Sequence, residues 1–383
     1  MTVAGEEVIS SPNRAYIPEL HQLRGIAALL VFFYHATHSG RTAIGMGGEW
    51  PVAGNPLAAL LWEGHSGVAL FMVLSGFILS YGTFDREIDY RRFIENRARR
   101  ILPLMTIVLI FGTYAVSNID FGQIAAAFLL FRNTPAAFQD PSGLSGTVWT
   151  VAVEFQFYLV APFLFALVAR EGLRAVAALA IFFFSLKVLI LASSYADAEN
   201  LFRINYFTIV GRAGQFLIGI GLAYIVYRHR PPQQSRWLLA LAVALTLISC
   251  WLWVLNASGG INKYKIWHVI FPEVEGLLWA GVLVSFWLGQ PIRNRHLAQW
   301  LEFVGTISFG VYILHYSIQH IFWRAVPGLF AGLVTNMYQV LLLNILLLIP
   351  VLSLAWISWT FVEKPFLSRR KRYIASLPAT ESA

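Results

Sequence analysis

The sequence predicts an all-α polytopic membrane protein with about ten transmembrane helices and both termini in the cytoplasm. Of its 383 residues, 57% are hydrophobic and only 13% are charged, about half the charged fraction of an average soluble protein. The apolar residues are also gathered into runs of about 20, the length with which a helix crosses a bilayer. This composition excludes a soluble enzyme and a nucleic-acid-binding domain.

The apolar runs, taken in chain order, define the predicted spans. The first 16 residues are polar and contain two glutamates, unlike a secretory signal peptide, so we expect the first run to be retained. The ten candidate spans are 23–40, 66–82, 101–118, 148–169, 173–194, 208–227, 236–256, 266–289, 301–323 and 338–362. A further apolar segment, 124–131, is too short to span. We expect a cytoplasmic segment over 1–16, one transmembrane domain over 17–366, a basic cytoplasmic tail over 367–383, and no second, soluble domain.

The distribution of basic residues sets the predicted orientation. The net charge is +8, and the ten-span topology places 20 of the 28 Lys and Arg residues on the cytoplasmic side and 6 outside. This asymmetry is typical of membrane proteins, and counting 124–131 as a span would put the basic tail outside. The single cysteine, Cys250, excludes an intrachain disulfide framework and a cysteine-rich metal site, and we expect no metal.

The first predicted helix carries two ionisable residues, Arg24 and His35. They are eleven residues apart, which is 20° more than three full helical turns, so they share a face about 16 Å apart along the axis. His35 then lies near mid-membrane, where it could be a protected general base or simply a hydrogen-bonded core histidine. The pattern alone gives these two interpretations even weight.

A cluster of arginines precedes the third predicted span. Arg97 and Arg100 are three residues apart on one helical face, with Arg92 and Arg99 nearby. Guanidinium pairs suit phosphate recognition because each presents a rigid fork of donors. On charge alone, retention of the loop in the cytoplasm or contact with anionic lipid is the favoured interpretation.

Two further ionisable residues are predicted to lie at a depth similar to that of His35. Glu154 comes seven residues after Thr147, about 10 Å below the outer surface, and His315 is about 21 Å from the cytoplasmic start of its span. A buried carboxylate needs a partner, which could be a histidine, an arginine or a substrate hydroxyl, although a structural ion pair is also possible. Convergence of the three side chains is inferred from depth alone.

Six motifs in order along most of the chain resemble those of the acyltransferase 3 family of membrane acyltransferases. They are LHQLRGIAALLVFFYH with Arg24 and His35, GVALFMVLSGFILS with Ser75, RRFIENRARRILP with Arg97 and Arg100, VWTVAVEFQFYLVAP with Trp149, Glu154 and Gln156, ISFGVYILH with Tyr312 and His315, and FVEKPF. The fourth motif departs from a frequent variant, because Thr150, Ala152 and Phe155 stand where that variant has two serines and a second glutamate. The extracytoplasmic esterase-like domain of some members is also expected to be lacking.

The resemblance implies transfer of an acyl group, most simply acetyl, from acyl-coenzyme A to a hydroxyl of a cell-envelope saccharide or glycolipid. It implies a bacterial inner membrane as the location, membrane lipid as a neighbour and no nucleic acid as a partner. The site it suggests has catalytic residues His35, Glu154 and His315, donor-binding residues Arg24, Arg97 and Arg100, and substrate-binding residues Ser75, Trp149, Gln156 and Tyr312. Two other classes stay open, namely a secondary transporter that uses buried His, Glu and Arg, and a catalytically silent lipid- or sugar-binding scaffold.

Overall fold

The computed structural model describes residues 2–3, 6–7, 11–13, 16–43, 50, 52–115, 147–193, 198–261, 269–325, 334 and 336–375. The short apolar segment 124–131 and the end of the tail, 376–383, lie outside them. The regular secondary structure of the described residues is helical, apart from a short hairpin, β1 (Thr2–Val3) with β2 (Glu6–Glu7), and one bridge between Ile88 and Ile374.

The helices follow the apolar runs of the sequence. They are α1 (Pro18–Ala43), α2 (Pro56–Trp62), α3 (Gly67–Tyr81), α4 (Tyr90–Ala115), α5 (Val148–Glu171), α6 (Leu173–Ser193), α7 (Ala198–Phe207), α8 (Ile209–His229), α9 (Arg236–Ala257), α10 (Phe271–Gly289), α11 (Arg295–Thr306), α12 (Ser308–Ala325), α13 (Met337–Ser358) and α14 (Lys364–Leu367). A 3₁₀ turn, Gly64–Ser66, precedes α3, and a π-helical turn, Trp359–Glu363, joins α13 to α14.

Seven helical segments within the described residues are long and apolar enough to cross a membrane, and α11 with α12 makes an eighth if this pair, bent by 74°, is one span. The remaining two predicted spans correspond to α1 and α4, which have 26 residues each and are not among these eight segments. The chain is thus an all-helical, multi-pass membrane protein. Ten spans and cytoplasmic termini remain predictions.

Burial separates central helices from peripheral ones. In the span that contains α3, 78% of the residues are buried, whereas in α6 the share is 11%. Ile181, Phe182 and Leu189 of α6 are exposed large apolar side chains. Such a surface is unfavourable in water and favourable against lipid, so α6 lies at the lipid-facing periphery and α3 in the centre.

Glycines allow the central helices to approach closely. A Cβ at Gly76 of α3 would collide with the carbonyl oxygen of Phe216 on α8, and one at Gly219 of α8 would collide with the carbonyl oxygen of Val73. Small residues at such crossings are typical of membrane helices, because packing rather than hydrophobic burial drives their association. The α3–α8 contact therefore fixes the backbone position of α3.

The C-terminal segment is bound to the start of α4. The amide of Asn96 donates to the carbonyl oxygen of Lys371 at 2.7 Å and accepts from its N–H at 3.0 Å. The hydrogen bond from the Lys371 ammonium lowers the pKa of Glu95, and Arg99 donates to the carbonyl oxygen of Arg369. The basic residues 369–372 are thus part of the packed fold, and Arg99 serves this contact.

Candidate active site

A cavity opens among α1, α3, α4, α5, α8 and α12. Six of the ten residues predicted for the site line it, which are Arg24, Ser75, Arg97, Arg100, Glu154 and Tyr312. The other lining residues are mainly apolar, including Phe71, Met72, Ile78 and Phe216. The cavity has the composition of a small-molecule site, with apolar walls and a few polar groups at defined positions.

Three arginines, Arg24, Arg97 and Arg100, line this cavity. Arg97 is only 6% exposed, and no residue in the described ranges accepts a hydrogen bond from its Nε. Its guanidinium lies 5.6 Å from the ring centres of both Phe93 and Tyr158. Within the described residues neither Arg97 nor Arg100 forms an ion pair closer than 4.0 Å. A buried cation with spare donors at the wall of a cavity favours an anionic ligand.

The break between α11 and α12 places Ser308 beside Arg24, and both residues line the cavity. The Nη2 atom of Arg24 lies 3.4 Å from Oγ of Ser308, the first residue of α12. Glu363, in the π-helical turn, is 2% exposed and interacts electrostatically with both Arg100 and Arg24. The FVEKPF motif therefore places a buried carboxylate that interacts electrostatically with two of the cavity arginines.

Glu154 lies on the wall of the cavity formed by α5. One of its oxygens, Oε1, accepts a hydrogen bond from Ser75 at 2.7 Å and another from the Tyr158 hydroxyl. Its second oxygen, Oε2, forms no hydrogen bond within the described part of the chain. Neither histidine is among its described partners, so Glu154 is positioned for a ligand in the cavity rather than for an imidazole.

His35 and His315 are in direct contact. The Nδ1 atom of His35 lies 3.0 Å from Nε2 of His315 and 3.1 Å from the carbonyl oxygen of Val31. The Nδ1 atom of His315 lies 2.9 Å from the carbonyl oxygen of Val311. Because a carbonyl oxygen can only accept, His315 carries its proton on Nδ1, and its Nε2 accepts the proton of His35 Nδ1. This assignment leaves Nε2 of His35 as a proton acceptor.

Tyr312 connects the cavity to the histidine pair. It lines the cavity one turn before His315, and the two ring centres are 5.9 Å apart. The Tyr312 hydroxyl accepts a hydrogen bond from Oγ1 of Thr150 at 2.7 Å, which leaves its own proton for a ligand. Neither His35 nor His315 lines the cavity itself, and Tyr312 lies between the cavity and His315.

The structure does not bring Trp149 and Gln156 to this cavity. Trp149 packs against Phe207 with 4.8 Å between ring centres, and the guanidinium of Arg212 lies 5.7 Å from its ring. Gln156 is half-buried on α5 and is not among the cavity-lining residues. Their predicted role in substrate binding therefore has no support from their position.

A second buried polar cluster was not predicted. Glu63 accepts from the Trp50 indole at 2.6 Å and from Asn256 at 2.9 Å, and its other oxygen lies 3.1 Å from His65. The ring of His65 packs against Tyr34, the neighbour of His35, with 5.2 Å between ring centres.

The same cluster continues into α8 and α10. Arg212 and Glu275 are 3.6 Å apart, and both are 1% exposed or less. The signal in the sequence was the presence of Arg212 and Glu275 inside long apolar runs, since such residues in a membrane span are expensive unless paired.

Comparison with known proteins identifies the family. The model of the acyltransferase 3 family, described as an acyltransferase domain, matches residues 17–360. The peptidoglycan O-acetyltransferase of Listeria monocytogenes is 25% identical over 340 residues, which cover 80% of this chain but 50% of that protein. Nodulation protein 10 of Rhizobium leguminosarum bv. viciae is 25% identical over 379 residues, which cover 92% of this chain and 94% of that protein. The O-acetyl transferase of Shigella phage Sf6 is 23% identical over 371 residues, which cover 90% of this chain and 95% of that protein.

The chain therefore spans about half the length of the Listeria relative and nearly the whole of the other two. No solved structure matches. The family resemblance inferred from the six motifs is confirmed, because the matched region includes five of them completely and all ten residues predicted for the site. The chain belongs to the acyltransferase 3 family.

Proposed function

We propose that the protein transfers an acyl group, in the simplest case acetyl, from acyl-coenzyme A to a hydroxyl of a cell-surface saccharide or glycolipid, with His35 as the general base. One observation carries this proposal: Tyr312 lines a cavity that is also lined by three arginines, and its ring centre lies 5.9 Å from that of His315, which contacts His35. An anionic donor could enter at the arginines while its thioester reaches the imidazoles.

The arginines fit the phosphates of the donor. Arg97 and Arg100 lie on one face of α4, and Arg24 reaches the same cavity from α1. Each guanidinium offers a fork of donors that matches phosphate oxygens. Arg24 and His35 are eleven residues apart on α1, about 16 Å along its axis, so the apolar walls between them would enclose the pantetheine arm.

The histidine pair fits proton transfer from the acceptor. Nε2 of His35 would take the proton of the acceptor hydroxyl while its oxygen forms a bond to the thioester carbonyl carbon. Collapse of the tetrahedral intermediate breaks the carbon–sulfur bond, and the proton on His35 passes to the leaving thiolate. The transient imidazolium is stabilised because its Nδ1–H already donates to Nε2 of His315 and faces the carbonyl oxygen of Val31. Attack by His35 itself, through an acyl-enzyme, is the alternative route.

Glu154, Ser75 and Tyr312 would hold the reacting groups. Oε2 of Glu154 is available for a hydroxyl or amide N–H of a ligand, while Ser75 keeps the carboxylate oriented. Tyr312 lies between the cavity and His315 and could donate to the thioester carbonyl oxygen.

The acceptor and the location are proposed from the relatives. One relative is named for O-acetylation of peptidoglycan and another simply as an O-acetyl transferase, which supports a saccharide hydroxyl as acceptor. An envelope acceptor and a cytoplasmic donor together favour the bacterial inner membrane.

The test is acetyl-coenzyme A binding and thioester cleavage by detergent-purified protein at several salt concentrations. We expect salt-sensitive binding that is lost in Arg97→Ala/Arg100→Ala, and turnover that is lost in His35→Ala while binding is retained. Arg170→Ala is the matched control, since Arg170 is exposed and pairs with Glu171 instead. If folded His35→Ala protein cleaves the thioester at the wild-type rate, His35 is not the general base.

A secondary transporter is the second candidate, and buried ion pairs favour it. Lys187 on α6 lies 2.9 and 2.8 Å from the two carboxylate oxygens of Glu273 on α10, and Arg212 lies 3.6 Å from Glu275. Paired charges within spans are also the parts of a proton relay. Proton-coupled solute flux in proteoliposomes, with no thioester turnover, would select this function.

A further inference from the structure

A second cavity adjoins the first near the predicted cytoplasmic surface. Arg24 and Ile78 line both cavities, so the two meet at these residues. The second cavity lies between the start of α1, the end of α3 and the ends of α8 and α10. The function proposed above makes no use of it.

The charged groups that line this cavity are basic. They are His21, Arg24, Arg86 and Arg230, and no carboxylate is among the described lining residues. The adjacent carboxylate of Asp85 accepts a hydrogen bond from Tyr227 at 3.1 Å. Within the described ranges, neither Arg86 nor Arg230 is paired with an Asp or Glu. The cavity therefore attracts an anion with more than one negative charge.

An aromatic wall lies beside these cations. Tyr81 stacks on Phe77, and the ring centres of Tyr81 and Trp287 are 5.5 Å apart in an edge-to-face arrangement. Trp287 is 9% exposed and Phe77 is fully buried, so the rings are held in place by packing. A fixed aromatic surface beside guanidinium groups suits a ligand that joins a flat heterocycle to phosphates.

The backbone around Arg230 is also fixed. Arg230 ends α8 in a left-handed conformation with φ 44°, and its N–H donates to the carbonyl oxygen of Val226 at 2.8 Å. Four residues later, the N–H of Gln234 donates to the carbonyl oxygen of Leu288 at 3.0 Å. The turn that carries Arg230 is thus tied to the end of α10, next to Trp287.

We propose that this second cavity binds the nucleotide end of acyl-coenzyme A, with the adenine against Tyr81 and Trp287 and the 3′-phosphate at Arg86 and Arg230. The diphosphate then lies near Arg24, where the cavities meet, and the pantetheine arm continues through the first cavity towards His35. The order of groups along the donor matches the order of the side chains along the two cavities. This inference rests on the proposed acyltransferase function. A phospholipid head group shares the phosphate chemistry but has no base for the aromatic wall.

The test compares a full and a truncated donor. Acetyl-coenzyme A carries the nucleotide, whereas S-acetyl-N-acetylcysteamine has only the thioester end. Both are assayed with wild type, Arg86→Gln/Arg230→Gln and Trp287→Leu, and with Arg293→Gln/Arg295→Gln as the control, since Arg293 and Arg295 are exposed and line neither cavity. Binding of adenosine 3′,5′-bisphosphate and of vesicles rich in anionic phospholipid is measured on the same proteins.

We expect the Arg86/Arg230 double variant to raise KM for acetyl-coenzyme A about tenfold, to leave kcat within about twofold, and to lose binding of the bisphosphate. Turnover of the truncated donor should not change. Unchanged KM in both this variant and Trp287→Leu would overturn the inference while leaving the proposed function intact, and so would equal losses with the two donors. Lost vesicle binding with unchanged bisphosphate affinity would assign the arginines to lipid and also overturn it. Failure of the wild type to bind or cleave acetyl-coenzyme A would refute the proposed function itself.

Discussion

Substitution of His315 by leucine tests the geometry of the histidine pair. In the wild type, Nδ1 of His35 faces two acceptors, Nε2 of His315 at 3.0 Å and the carbonyl oxygen of Val31 at 3.1 Å. His315→Leu removes the first, so the imidazolium that forms during the reaction keeps only the second. A hydrogen bond to a charged group contributes about 1.5–3 kcal/mol, which corresponds to a loss of about 10- to 150-fold in kcat.

The assay is single-turnover thioester cleavage with a saccharide acceptor, together with donor binding. KM for the donor should change little, because His315 does not line the cavity. His315→Gln should lose less than His315→Leu, since an amide oxygen can accept from Nδ1 of His35. His296→Leu is the control, because His296 is exposed on α11 and lines neither cavity. A folded His315→Leu protein with kcat within twofold of wild type would refute this role of His315.

Two further predictions concern stability in detergent. Gly76→Ala should lower the free energy of unfolding by about 1–3 kcal/mol, because the added methyl group meets the backbone of Phe216. A thermal-shift assay checks this, with Gly54→Ala as control, since a Cβ at Gly54 meets nothing within 4 Å; equal melting temperatures would contradict the close packing. Lys187→Met should destabilise by about 2 kcal/mol by leaving the Glu273 carboxylate without its cation, and adding Glu273→Gln should restore part of the loss. Additive losses in the double variant would show that the pair is not coupled.

The sequence alone predicts where the helices lie, because each helix depends on a run of apolar residues that are neighbours in the chain. A run of about 20 apolar residues satisfies its own backbone hydrogen bonds as a helix and has no stable alternative in lipid. Nine of the ten predicted spans therefore each correspond to one helix, and 301–323 corresponds to the pair α11 and α12. The bend of 74° between α11 and α12 was not predicted, since residues 301–323 form one apolar run. The bend depends on packing, and it brings Ser308 to Arg24.

Helical periodicity predicts which site residues share a helix face and how deep each lies in the membrane. The spacing of Arg97 and Arg100 predicted one face, and both line the first cavity. The depths of His35 and His315 predicted similar heights, and their imidazoles are in contact. Depth also suggested that Glu154 could meet a histidine, but rotation about the axis of α5 directs it to Ser75 instead.

The sequence by itself determined a multi-pass helical membrane protein, the acyltransferase 3 family and six of the residues that line the first cavity, because composition, periodicity and motifs are properties of the chain alone. Tertiary structure alone decided the pairing of side chains between helices. The tautomers of His35 and His315, the electrostatic interaction of Glu363 with Arg24 and Arg100, and the second cavity depend on how helices distant in sequence rotate and pack. In a bilayer the apolar surface of a helix is satisfied in any rotation, so it is close packing and the pairing of polar groups that select one arrangement.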